Sequence, residues 1–279
     1  MEHLRWHARP ILERPVVVAA FEGWNDAGDA ASSAVRWFAD RWDAEPFADI
    51  DPEDFFDFTS TRPEVRIEED ARVIDWPANE LSAATLPGSG RHVVLLQGVE
   101  PQLRWRTFAD LVIDVARGYD ASMVVTLGAL LAEVPHSRPV HVVGTAYDEA
   151  VVTRLGLSPS QYQGPTGIVG VLHDRCRVAR IQSASLWATV PSYVPGASSP
   201  KATLALVEKT AELLDEPVLT TDLEIASASY ERQINELVDD DEETRSYVAA
   251  IEQRFDEEAE QASGDLVEEV ERFLREHGG

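Results

Sequence analysis

The sequence has almost no cysteine, very little lysine and no long apolar run. Cys176 is the single cysteine among 279 residues, which excludes an internal disulfide and a multi-cysteine metal site and favours a reducing compartment. No apolar run approaches the roughly 18 residues of a membrane span. Residues 1–15 carry charged side chains where a secretory signal would be apolar. We therefore expect a cytoplasmic protein that does not enter a membrane.

Positive charge is scarce as well. Lysine and arginine together number 24 against 50 aspartate and glutamate residues, so the net charge is −26. Such a surface repels nucleic acid and anionic lipid, and neither is expected as a partner. Much of the acidic excess lies in residues 215–279.

Apolar runs alternate with helical patterns through residues 1–215, which we predict to form the core domain. The runs typical of strands buried on both faces are Val16–Phe21, Val93–Gln97, Met123–Leu127 and Val140–Gly144. A further strand is predicted at 179–190, shorter ones at 55–58, 65–67 and 72–75, and helices at about 30–42, 103–117, 168–177 and 200–214. This alternation predicts a three-layer α/β/α sandwich with a mostly parallel sheet.

The remaining residues, 216–279, are predicted to form an acidic extension of three helices. Thr221 and Glu224 have the spacing of a capping box, so the first helix should begin there. The apolar stripes of the second and third helices are Tyr247, Val248, Ile251 and Phe255, and Leu266, Val270, Phe273 and Leu274. Because these stripes need a surface to cover, we expect the extension to pack on the core or on a neighbouring subunit, and the chain to be a homo-oligomer.

Polar side chains follow the first predicted strand, where ligands bind in open α/β sheets. This loop contains Glu22, Trp24, Asn25 and Asp26. Carboxylates and an amide there can hold a hydrated cation or polarise a hydroxyl. The alternative is structural, because Asn25 or Asp26 would also serve as the N-cap of the helix that follows.

Charged and aromatic residues likewise follow the second predicted strand. They are Glu100, Arg104, Trp105 and Arg106. Two arginines around a tryptophan can grip a carboxylate or phosphate or bind a partner protein. Equally, the arginines can pair with the surplus acidic residues while Trp105 packs.

Two more loops carry candidates. His136 is a possible acid or base, or a hydrogen-bonded structural group. Gly164-Pro-Thr-Gly167, with Tyr162 before it, places Thr166 and free amides at a helix start, which favours an anion. We expect one concave site at the sheet edge, with an anion between Arg104 and Thr166 and a water or hydroxyl at Asp26. The residues expected to converge there are Trp24, Asn25, Asp26, Glu100, Arg104 and Gly164 to Gly167.

Signatures of cofactor and metal chemistry are missing. Neither Gly-x-Gly-x-x-Gly nor Gly-x-Ser-x-Gly occurs. His173 and Cys176 have the spacing of ligands on a helix but lack a second pair for zinc. We therefore expect neither a metal nor a cofactor.

The loop segments, taken together, resemble the actinobacterial branch of the proteasome assembly chaperone 2 family. They are Phe21–Gly28, Gly98–Arg106, Thr126–His136, Tyr162–Ile168, Ser185–Pro191 and Ser199–Thr203. The resemblance implies a phosphorylase/hydrolase-like fold, oligomeric relatives and a role with proteasome-related protein partners. Several members dock through a hydrophobic–tyrosine–any-residue tail, whereas this chain ends Glu276-His-Gly-Gly279. Docking through the last three residues is therefore not expected.

Two functions follow from these observations. The resemblance favours a non-catalytic assembly or scaffold factor that acts through protein–protein contacts. The polar loops favour a small-molecule-binding protein, or an enzyme of the hydrolase or phosphorylase type, because functional residues concentrate in loops.

Overall fold

The strands and helices follow the predicted alternation closely. The computed structural model describes residues 3–68, 71–160 and 162–277, with side chains up to residue 259. The strands are β1 Leu4–Trp6, β2 Val16–Glu22, β3 Glu45–Ile50, β4 Glu64–Glu68, β5 Ala71–Asp75, β6 Asn79–Thr85, β7 His92–Val99, β8 Met123–Ala132, β9 Val142–Ala146, β10 Ser158–Pro159 and β11 Ser183–Pro191. The helices are α1 Ala30–Arg41, α2 Trp105–Gly118, α3 Glu149–Leu155, α4 Ile168–Ala179, α5 Pro200–Leu213, α6 Thr221–Asp239 and α7 Glu242–His277.

Nine strands form the main sheet in the order β1-β3-β6-β7-β2-β8-β11-β9-β10. Its centre, β7-β2-β8-β11, is parallel, and antiparallel strands continue it on both sides. In β2, Val18 and Ala20 pack with α1 and α5, while Val17 and Phe21 pack with α2 and α4 on the other face. Burial on both faces is why the strand is apolar throughout. The predicted α/β/α sandwich with a parallel core is confirmed.

Some local predictions were wrong, because contacts with other elements can override the secondary structure that the residue pattern favours. β9 begins at Val142, runs antiparallel to β11 and is partly exposed, so it is not a strand buried on both faces. Residues 55–58 form a turn instead of a strand, in which Phe55 is buried against Phe108. The predicted strands at 65–67 and 72–75 do form, as the separate β4–β5 hairpin. No clear sequence signal marked strands β1, β3, β6 and β10 or helix α3. The four strands form because neighbouring strands of the sheet offer them hydrogen-bonding partners.

The helical extension differs from prediction at its first cap and its last helix. The N-cap of α6 is Thr220, whose Oγ1 donates to Glu224 Oε1 at 3.0 Å, so Thr221 makes no capping box. One helix, α7, replaces the two that were predicted after α6. Leu266, Val270, Phe273 and Leu274, and the terminal glycines, lie outside the described side chains.

The described part of the extension packs on its own core. Tyr230, Ile234 and Val238 of α6 are buried with Val248 of α7 against a loop near Tyr193. Within the described ranges, no helix is long and apolar enough to cross a membrane.

Candidate functional site

An open cleft of about 1030 Å³ lies beyond the carboxyl ends of the parallel strands. The loop after β2, the end of β8, part of β11 and the start of α4 form its walls. Parallel strands deliver their following loops to one edge of the sheet, which explains the location. The predicted site residues that line the cleft are Trp24, Asn25, Asp26, Tyr162, Gly164, Thr166 and Gly167.

Glu100 does not line the cleft but lies behind its wall, where it joins the β2 loop to α4 by hydrogen bonds. Its Oε1 accepts a hydrogen bond from Asn25 Nδ2 at 2.7 Å and from the backbone N–H of Ile168 at 2.8 Å. The protein's own carboxylate therefore occupies the N-terminus of α4, where an anionic ligand was expected. At the predicted anion site, Gly164 to Gly167, Glu100 therefore takes the N–H of Ile168 that a bound anion would use.

Arg104 is directed elsewhere. It forms an ion pair with Asp54 at 3.0 Å and is about half exposed, outside the cleft. The predicted anion clamp between Arg104 and Thr166 is therefore not formed. Trp105 follows the structural alternative, because its Nε1 donates to the carbonyl of Pro101.

Two other candidates also lie on the surface away from the cleft. Arg106 is exposed on the first turn of α2. Glu22 is exposed and pairs with Arg36 at 3.1 Å. These side chains follow the correct strands but project outside the concave surface, which the residue pattern alone does not reveal.

The two carboxylate oxygens of Asp26 differ in their hydrogen bonding. Its Oδ1 accepts the backbone N–H groups of Ala31 at 2.7 Å and Ser32 at 3.2 Å, so it holds the first turn of α1. It is not the N-cap of that helix as the structural alternative stated, because the short 3-10 turn Ala27–Asp29 intervenes and Asp29 is the N-cap residue. Its Oδ2 is buried and has no hydrogen-bond partner among the described residues. The side chain is only 6% exposed, and this burial raises the pKa of the carboxyl above its ordinary value.

The raised pKa of Asp26 predicts a pH-dependent effect of Asp26→Asn. Ionising the buried carboxyl costs stability as the pH rises through its folded pKa, whereas an asparagine has no charge to bury. The melting temperature of Asp26→Asn relative to the parent should therefore increase as the pH rises above 3.8, the ordinary pKa of an aspartate. Thermal denaturation at a series of pH values measures this difference, and a constant difference would contradict the burial argument.

His136 lies outside the cleft and is engaged by the helical extension. Its Nδ1 contacts Tyr193 OH at 2.7 Å and its Nε2 contacts Asn235 Oδ1 at 3.0 Å. Its carbonyl accepts from Lys201 Nζ at 2.6 Å. His136 is therefore a hydrogen-bonded structural group, which was the stated alternative to a role as an acid or base.

A buried polar chain that sequence reasoning did not propose forms part of the cleft floor. Trp187 Nε1 donates to Ser185 Oγ at 2.8 Å, and Ser185 Oγ lies 2.8 Å from Thr126 Oγ1. His173 continues the chain, with Nε2 3.2 Å from Thr126 Oγ1 and Nδ1 3.1 Å from Ser183 Oγ. Polar residues inside otherwise apolar strands were the signal that would have found it.

Burial determines the charge of His173. Desolvation lowers the pKa of its imidazole to about 4, so the ring is neutral at neutral pH. Among the described residues, no group of three histidine, cysteine or acidic side chains is placed to hold a metal ion. The floor of the cleft is therefore polar but uncharged.

The upper walls of the cleft are aromatic and aliphatic. Trp24 is 65% exposed, Tyr162 69% and Tyr147 54%. Leu130 and Leu131 at the end of β8 are also exposed. Large apolar side chains gathered on one concave surface are characteristic of protein interaction sites and ligand grooves.

These features define an α/β/α protein with an open, aromatic-walled cleft at the carboxyl edge of its sheet. Comparison with known proteins shows that the chain belongs to the PAC2 family, whose model matches residues 20–238. The resemblance seen in the loop segments is thereby confirmed. No curated protein has significant similarity to this chain.

Solved structures support the same assignment. A PAC2 family protein from Streptomyces avermitilis is 42% identical, covers 84% of this chain and 99% of its own, and has a TM-score of 0.79. A proteasome-assembly chaperone homologue from Mycobacterium tuberculosis is 46% identical over the same shares of the two chains, with a TM-score of 0.77. PbaB of Pyrococcus furiosus, an archaeal proteasome activator, shares the fold at 14% identity, covering 85% of this chain and 99% of its own with a TM-score of 0.70.

Proposed function

We propose that this protein is a non-catalytic assembly factor that acts through protein–protein contacts, with proteasome subunits as its partners. Family membership supports this proposal, as does the relative in Mycobacterium tuberculosis that is named a proteasome-assembly chaperone homologue. The observation that carries it is the exposed aromatic wall of the cleft around Trp24, Tyr147 and Tyr162. Aromatic anchors of this kind provide much of the binding energy of protein interfaces.

The chemistry of the cleft argues against the hydrolase or phosphorylase alternative. A general base works best with a pKa near the operating pH, and His173, with a pKa of about 4, is a weak base at neutral pH. Nδ1 of His173 contacts the hydroxyl of Ser183, whereas in a catalytic triad this nitrogen would contact a carboxylate. Both ring nitrogens of His173 are bonded to Thr126 and Ser183, so the imidazole is not placed to take a proton from Ser185.

One observation favours small-molecule binding as a second candidate function. The cleft volume of about 1030 Å³ is at the upper end of the range of ligand pockets. No lysine or arginine lines the cleft among the described residues, so a phosphate or carboxylate ligand would find no cation there. A small ligand would have to be neutral or positively charged.

Reconstitution of proteasome assembly tests the proposed function. We expect the chain to increase the yield of assembled rings from proteasome subunits of the same organism, and Trp24→Ala to reduce that gain at least fivefold. Truncating a central aromatic anchor costs about 2 kcal/mol or more of binding free energy, which supports this magnitude. Native gel electrophoresis and light scattering of the assembled species provide the measurement.

Trp76→Ala is the matched control. Trp76 is also about half exposed, but it lies outside the cleft and packs beside Phe58 at 4.8 Å. This variant should retain the parent yield. Equal losses in both tryptophan variants, or no gain from the parent chain, would refute the proposed role of the cleft.

A further inference from the structure

We infer that the cleft receives a short segment of a partner protein in which a lysine or arginine lies between apolar residues, with its cation directed to Asp26. The inference deepens the proposed function and rests on it, because it specifies the chemistry of the partner segment. Three features support it: the sign of the charge in the cleft, an unpaired buried oxygen and the arrangement of the aromatic wall.

The charge of the cleft selects a cation. Asp26 and Asp29 line it, and no lysine or arginine does so among the described residues. Asp29 is exposed and its Oδ2 accepts from Ser198 Oγ at 2.7 Å, whereas Asp26 is buried with one oxygen unpaired. Asp26 is therefore the acidic group that a donor from a ligand would complete. The net charge of −26 also attracts basic segments and repels acidic ones.

Asp26 has an unfilled hydrogen-bonding position. The N–H groups at the start of α1 are both directed to Oδ1, while Oδ2 is buried without a partner among the described residues. A buried carboxylate oxygen without a donor is costly, and donation from an ammonium or guanidinium group removes that cost. The two N–H groups therefore hold the carboxyl in place while one buried oxygen is left without a donor.

The aromatic wall matches a cation flanked by apolar side chains. Exposed rings of Trp24, Tyr147 and Tyr162 offer faces that attract cations and surfaces that cover aliphatic groups. Tyr162 is preorganised, because its OH donates to the carbonyl of Pro165 at 2.8 Å. A side chain on Gly164 would collide with that hydroxyl, at 2.6 Å from its Cβ.

The size of the cleft indicates a segment of several residues. Its volume of about 1030 Å³ far exceeds a single side chain, and it is open to solvent. The floor contributes the uncharged polar groups of Ser185 and His173. These groups are buried and already hydrogen-bonded to Thr126, so the floor adds no charge that would compete with Asp26.

Three capped fluorescent pentapeptides test the inference at about 150 mM salt, where long-range attraction is screened. They alternate leucine with lysine, with acetyl-lysine or with glutamate, and binding is measured by fluorescence anisotropy. We expect the lysine peptide to bind at least tenfold more tightly than the acetyl-lysine peptide, and the glutamate peptide not to bind. Asp26→Asn should lose at least tenfold in affinity for the lysine peptide.

Asp114→Asn is the charge-matched control and should bind like the parent, because Asp114 is exposed on α2 outside the cleft. Trp24→Ala provides a second variant of the site and should also bind weakly, with circular dichroism verifying that each variant is folded. Equal affinity for the lysine and acetyl-lysine peptides, equal losses in Asp26→Asn and Asp114→Asn, or no binding of the lysine peptide at about 1 mM would overturn the inference.

The outcome can be separated from that of the proposed function. If the lysine peptide does not bind but Trp24→Ala still abolishes the gain in ring assembly, the cleft acts on partners of another chemistry and only the inference fails. If the lysine peptide binds through Asp26 but the parent chain produces no gain in assembly, the cleft is a site for basic segments and the assembly function fails.

Discussion

Lowering the pH from 6.5 to 4 should cost the folded protein about 3 kcal/mol of stability through His173 alone. Burial holds the pKa of this imidazole at about 4, compared with 6.5 for an exposed histidine. Between these values the unfolded chain binds a proton at His173 and the folded chain does not. The proton therefore stabilises the unfolded state, and stability falls as the pH falls.

Denaturant unfolding at a series of pH values measures this effect. His173→Gln removes the titrating group and keeps an amide near Thr126 and Ser183, so its stability should decline less between pH 6.5 and 4. His141→Gln is the matched control because His141 is exposed, and it should follow the parent. Parallel pH curves for the parent and His173→Gln would show that the buried imidazole does not control acid sensitivity.

Gly167→Ala should destabilise the protein by about 1 to 3 kcal/mol, the usual cost of overpacking a well-packed site. A Cβ at this position would lie 2.2 Å from Asn25 Nδ2 and 2.6 Å from Glu100 Oε1. Both side chains are held by the hydrogen bonds that join the β2 loop to α4. The new methyl group must therefore displace these two side chains and disturb the hydrogen bonds behind the cleft.

Gly118→Ala is the control for this substitution. Gly118 ends α2, and a Cβ there meets no atom within 4 Å. Its free energy of unfolding should equal or exceed that of the parent, because alanine favours helix more than glycine does. If the two alanine variants are equally stable, the close approach at Gly167 does not constrain the loop.

Local chemistry was the part of the site that the sequence could predict. The expectation of a cap at Asn25 or Asp26 needed only a polar residue before a helical pattern. Asp26 does accept N–H groups of the first turn of α1, although the N-cap position itself is held by Asp29. Ser199, whose side chain accepts the N–H of Ala202 directly before Pro200, is a second contact of this local kind. Both interactions join residues no more than six positions apart in the chain.

Partners distant in the chain were the part that the sequence could not predict. Arg104 pairs with Asp54, and His136 contacts Asn235, 99 residues further along the chain. Many acidic residues were available to Arg104, and nothing in its own neighbourhood distinguishes Asp54. Such choices depend on which elements meet after folding.

The sequence by itself determined the layered α/β/α fold, because apolar runs and helical periodicity are local consequences of which faces must be buried. Only the tertiary structure decided the chemistry of the cleft. It placed the carboxylate of Glu100 at the start of α4, 68 residues away, and left Asp26 Oδ2 unpaired. The physical reason is that burial and hydrogen bonding of a polar group depend on neighbours from other elements, whereas strand and helix patterns depend on adjacent residues.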